Sequence, residues 1–240
     1  MKMISKAALA GVATLAFSAP AAAVTITLDN FDTAFTKDGG STTDAVLAVG
    51  SFDDGSGGQT IVTEDTSDLQ SVMPSGLDRL GILRLNSVAF ADSAATAEIN
   101  GSSLQYSADA GVNAYVQLSY ALEDAFAGIA GTNATGRVDL RTIFADANSR
   151  TFSLFVNGTL ADQFTESGTI APGSSEFRSL SFNTDLLNGV ADGLSIRVTG
   201  PSALDIQFDQ ITTDVPEPGV LGLLGLGLAG IAMTRRRRKA

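Results

Sequence analysis

The sequence predicts an all-β protein, an antiparallel two-sheet β-sandwich, with an apolar segment at each end of the chain. Three observations carry that prediction. Between Val24 and Thr213 apolar residues recur mostly at every second position, the period of a strand with one buried face. Turn signals divide these runs at hairpin spacing, including Asn100-Gly101 and Asn157-Gly158, and Asn-Gly accepts positive φ at both central positions of a tight turn. No part of that span shows the apolar stripe of a long helix.

Taken in order, Val24, Ile26 and Leu28 alternate with Thr25, Thr27 and Asp29 in a first strand. Residues Lys37–Thr43 are polar and Gly-rich and read as loop, and Ala45–Val49 reads as a short strand. Asp53-Asp54-Gly55-Ser56-Gly57-Gly58 is a loop. It lacks the alternating acids and closing Glu of a twelve-residue calcium loop. Strands follow at Gln59–Glu64 and Arg79–Leu85, with a turn at Met73-Pro74-Ser75-Gly76, and Ser93–Ser107 reads as a hairpin about Asn100-Gly101. The strongest alternation is Val112, Ala114, Val116, Leu118, Tyr120 and Leu122 on one face of a long strand. Val138, Leu140 and Phe144 continue the pattern, and Phe152–Val156 and Leu160–Phe164 flank Asn157-Gly158. Thr184–Val190 accommodates one helical turn, and Leu194–Val198 and Leu204–Phe208 are the last strands. The count is about eleven, in one domain, followed by a linker at Thr212–Pro218.

Composition excludes several chemistries. The chain has no Cys and no His, so there is no disulfide framework, thiol nucleophile, Ser-His-Asp triad or His-bound zinc. Between Val24 and Glu217 lie 8 basic residues and all 26 acids, a net charge of −18. That argues against nucleic acid as a partner. Carboxylate chemistry is what remains for an enzyme, and a glycosidase would need two facing acids.

The ends read as addresses. Lys2 and Lys6, the apolar run Ala7–Phe17 and the small residues Ala21-Ala22-Ala23 have the order of a signal peptide, residues 1–23, with Ala21 and Ala23 setting the cleavage site. Sec machinery and signal peptidase are the implied partners. At the other end, Pro216-Glu217-Pro218 precedes an uncharged run, 219–234, and the cluster Arg235, Arg236, Arg237, Arg238 and Lys239. The run predicts a single transmembrane helix of roughly 24 Å. The basic cluster stays on the cytoplasmic side, which leaves residues 24–213 outside.

This tail, residues 214–240, resembles the PEP-CTERM sorting tail of Gram-negative bacteria. The resemblance implies an exosortase as partner. That membrane-embedded cysteine transpeptidase would cut near Pro216, Glu217 and Pro218 and pass the protein from the inner membrane to the cell surface. It also implies a link to exopolysaccharide and biofilm. An ordinary, uncut single-pass anchor is the alternative.

Acids gather where the first and last strands slip phase: Asp29 and Asp32 near Phe31, and Asp205 and Asp209 before Ile211. If the terminal strands are neighbours, these carboxylates could converge on Ca²⁺. Asp-Asn-Phe and Asp-Gln-Ile at these places resemble galactose-binding-like jelly rolls, which implies a carbohydrate-binding module with a structural calcium. Phe155-Val156-Asn157-Gly158-Thr159 is similar to concanavalin-like lectin hairpins, with a different topology. Tyr106, Tyr115 and Tyr120 could form a stacking surface. The expectation is an exported, non-catalytic, jelly-roll-like surface or matrix protein, with extracellular polysaccharide as a candidate ligand. A carboxylate-pair hydrolase and a purely structural matrix protein are the rivals.

Overall fold

The computed structural model describes residues 23–37, 46–56, 58–72, 75–123, 130–187 and 192–216. The leader through Ala22, the tail from Glu217, the loop expected at 38–43 and the Met73-Pro74 half of its turn lie outside the described residues.

Within them are fifteen strands. They are β1 (Ala23–Asp29), β2 (Leu47–Asp53), β3 (Gln59–Val62), β4 (Glu64–Thr66), β5 (Gln70–Ser71), β6 (Asp78–Val88), β7 (Ser93–Ile99) and β8 (Leu104–Ala108). After these come β9 (Val112–Glu123), β10 (Thr135–Ala145), β11 (Arg150–Val156), β12 (Thr159–Glu166), β13 (Glu176–Asn183), β14 (Asp192–Thr199) and β15 (Asp205–Pro216). They form two antiparallel sheets. The eight-stranded sheet runs β13-β10-β15-β8-β7-β2-β3, with β1 also paired to β15. The seven-stranded sheet runs β12-β11-β14-β9-β6-β4, with β5 on β6.

The core lies between them. Ala114, Val116, Leu118, Tyr120 and Leu122 of β9 are all buried, the face that their alternation predicts. Phe152 of β11 meets Phe208 of β15 edge-on at 6.1 Å, joining the sheets. The 3₁₀ turn Thr184–Leu186 fits the expected helical turn.

Three details depart from the sequence reading. Strand β13 was not expected, although Leu180 and Phe182 are buried between exposed Ser179 and Ser181. The first hairpin turns on Gly101 and Ser102, φ 58° and 62°, closed by Asn100 N–H donating to Ser103 O at 2.9 Å. The Asn-Gly pair is therefore one position off the centre, whereas Asn157-Gly158 sits at its centre with φ 50° and 75°. Finally, Thr212–Pro216 is not linker but strand, because the β-branched run Ile211, Thr212, Thr213 and Val215 pairs with β1.

Both phase slips are β-bulges. Thr27 faces Thr212 and Asp29 faces Ile211, so Leu28 is the extra residue in β1. Phe208 faces Thr142 and Gln210 faces Arg141, so Asp209 is the extra residue in β15. A bulge lets two successive side chains face the same way. Leu28 and Asp29 are accordingly both fully buried.

Candidate functional site

The buried Asp29 carboxylate is held by three groups. Arg79 Nη1 pairs with Oδ2 at 2.7 Å, and the Tyr120 hydroxyl donates to the same oxygen at 2.9 Å. Phe31 N–H donates to Oδ1 at 2.8 Å. Arg79 Nη2 also donates to Thr33 O at 2.6 Å, and its guanidinium lies 5.1 Å from the Phe35 ring centre. A Cβ at Gly81 would sit 2.4 Å from that ring, so glycine makes room for it. This constellation pins the chain after β1 onto β6 and β9 of the opposite sheet.

The other three acids of the expected cation site go elsewhere. Asp32 accepts from Asn30 Nδ2 at 2.6 Å and from Ser102 Oγ at 2.6 Å, on the surface. Asp205 accepts from Ser107 Oγ at 2.5 Å on the outer face of the eight-stranded sheet. Asp209 reaches Arg141 at 3.4 Å, and burial raises its pKa, partly offset by Arg141. The terminal strands are neighbours, as the sequence suggests, but the bulge sends Asp29 inward while its partners stay outside. Among the described residues no group of three or more acidic, His or Cys side chains could hold a metal ion.

A cleft of about 320 Å³ is lined by Arg141, Ile143, Phe144, Pro172, Ser174 and Gln207. No carboxylate lines it. Glu166 and Glu176 are both bound by Arg178, and Glu166 also holds Arg150. The Asp54 loop closes on itself. Hydrogen bonds from the Ser56 side chain and backbone and from Gly58 N–H hold that carboxyl below its usual range.

Of the three tyrosines, Tyr106 and Tyr120 are buried, and only Tyr115 faces outward. Its companions are ones the sequence reading missed. Arg197 of β14 lies between the Tyr115 ring, 4.3 Å away, and the Phe155 ring, 4.7 Å away. Diagonal spacing across β9, β14 and β11 brings them together. Their common outward phase was the available signal; the strand order was not.

At the C-terminal end, β15 stays paired to its last residue. Val215 faces Val24 and Pro216 faces Ala23. Asp214 accepts from Thr25 Oγ1 at 2.5 Å and from Arg137 Nη2 at 2.5 Å, tying β15 to both neighbours.

Residues 214–238 match the PEP-CTERM protein-sorting motif. The sorting motif therefore begins inside the sheet, with Asp214 at its first position. Ala23, where the sequence places leader cleavage, pairs directly with Pro216. Glu217, Pro218, the expected helix 219–234, the cluster Arg235–Lys239 and Ala21 lie outside the described residues. Among the described residues no helix is long and apolar enough to cross a membrane.

No curated protein sequence matches the chain. Solved structures similar to it include a family 4 carbohydrate-binding module, 10% identical over 77% of this chain and 95% of that one, TM-score 0.37. A family 36 module in complex with calcium and xylotriose is 17% identical over 47% and 79%, TM-score 0.28. An arabinose-bound α-L-arabinofuranosidase is 14% identical over 54% of this chain, which spans only 23% of that enzyme, TM-score 0.34. Likenesses this distant carry nothing about ligand or reaction.

Proposed function

We propose that the chain is an exported, exosortase-sorted protein of the cell surface or exopolysaccharide matrix, whose β-sandwich binds glycan without catalysis. The observation that carries this reading is the sorting motif at 214–238, continuous with the last strand. The leader 1–23 delivers the chain to the Sec machinery and signal peptidase. The helix 219–234 and the cluster Arg235–Lys239 hold it in the inner membrane until the exosortase cuts near Pro216-Glu217-Pro218. The paired strand end presents Pro216 extended and beside the processed N-terminus, so both membrane-linked segments leave the domain at one place. Non-catalytic binding is supported by a cleft without acids and by glutamates engaged with arginine. Calcium has no place at the terminal strands in this reading, because Arg79 already neutralises Asp29.

The test is to change Pro216-Glu217-Pro218 to alanines and follow the protein by fractionation and blot. A larger, membrane-held form is expected. Unchanged release of the shorter form would overturn the sorting assignment.

A further inference from the structure

Seven of the eight basic residues between Val24 and Glu217 have a carboxylate partner: Lys37, Arg79, Arg84, Arg137, Arg141, Arg150 and Arg178. Arg197 is the exception among the described residues. It stays without a counter-ion in a domain where 26 acids outnumber 8 bases.

Its surroundings explain how. Register places Arg197 at the centre of a patch on the outer face of the seven-stranded sheet. Gln117 and Ser153 are beside it, with Tyr115, Thr199 and Thr151 in one flanking row and Ser119, Ser195 and Phe155 in the other. None of these eight is acidic. Arg197 Nε and Nη2 donate to Gln117 Oε1 at 3.1 and 2.8 Å, which fixes the guanidinium plane between the two rings. A guanidinium has five N–H donors, so three, including both on Nη1, are left for a ligand. The half-buried, stacked geometry holds the cation in place before anything binds. Around it, the Ser119 and Ser195 hydroxyls, 2.9 Å apart, add further polar groups to the patch.

We propose that this face binds an acidic polysaccharide, a polymer of uronic acids whose carboxylate takes the free donors of Arg197. This rests on the glycan-binding reading and narrows it to a charged class. The domain's net −18 opposes a polyanion at long range, but at about 0.15 M salt charges farther away than about 8 Å are largely screened, while direct guanidinium–carboxylate contact survives.

Full-length protein in detergent, at 0.15 M salt, is titrated with polygalacturonate, with its methyl ester and with a neutral galactan. Binding to polygalacturonate alone is expected, and Arg197→Gln should weaken it by about ten- to a hundredfold. Arg141→Gln, on the eight-stranded sheet and paired to Asp209, should bind as the parent does. Arg197→Lys keeps the charge but not the planar stack and should fall between. Arg197→Gln binding polygalacturonate as well as the parent does would overturn the inference. Binding of the ester or galactan with no dependence on Arg197 would overturn it and leave the glycan reading standing. Absence of binding to all three would overturn both.

Discussion

Removing the carboxylate of Asp29 should be the most damaging single change in the sandwich. Asp29 and Arg79 are both fully buried and 2.7 Å apart. Asp29→Ala strands a guanidinium in the core and takes the acceptor from the Tyr120 hydroxyl and from Phe31 N–H. Breaking a buried ion pair from one side costs about 3–5 kcal/mol. For a domain of this size that is a fall in Tm of roughly 6–20 °C. Tyr120→Phe removes one donor but leaves Asp29 paired, and should cost about 1 kcal/mol. The double variant Asp29→Asn with Arg79→Met removes both charges, so its loss should be clearly smaller than the sum of the single losses. Urea unfolding of the parent, Asp29→Ala, Tyr120→Phe, Asp29→Asn, Arg79→Met and the double variant, followed by far-ultraviolet circular dichroism, gives the comparison. Additive losses in the double variant, or Asp29→Ala no worse than Tyr120→Phe, would refute the assignment of this pair as the lock between β1 and the opposite sheet.

Other predictions follow from the same geometry. Burial pushes the hydroxyls of Tyr106 and Tyr120 above the ordinary 10.0, with Asp205 and Asp29 adding to the shift. Above pH 10 the unfolded chain loses these protons and the folded one keeps them, so stability is complete below pH 10 and falls as pH rises. Each tyrosine contributes about 1.4 kcal/mol per pH unit. Tyr120→Phe should flatten the decline in the urea midpoint, and an equally steep decline would contradict it. A chelator should leave the melting temperature unchanged, because the terminal-strand acids have protein partners; a clear drop would restore a cation to that region. Asp214→Ala loosens the pairing of β15 with β1 and β10. Pulse-chase labelling should show tail processing faster by up to about fivefold, from a loss of under about 1 kcal/mol. Slower processing would contradict a strand end that must fray to be cut.

Much of the sandwich was legible because its strands obey one period. The face of β9 from Val112 to Leu122 and the Asn157-Gly158 turn required only local information. Bulges at Leu28 and Asp209 were legible as phase slips, but their consequence was not. An Asp in a polar phase reads as solvent-facing, and only its bulge and the distant Arg79 turn it inward. Strand β6 misleads in the same way: Leu80 and Ile82 look like core, yet Arg79, Gly81 and Leu83 hold the inner face. The Tyr115, Arg197 and Phe155 stack depends on the order β9-β14-β11, a long-range pairing that alternation does not encode. The tail was legible for the opposite reason, since its three features are contiguous and need no fold to be recognised.

The most direct measurement is the intact mass of the protein recovered from the cell surface or medium, with the exosortase present and deleted. The account predicts a chain beginning at Val24 and ending near Pro216-Glu217-Pro218 when the enzyme is present, and one retaining the arginine tail in the membrane when it is absent. Full-length protein in the cytosol, leader and tail intact in both strains, would contradict it.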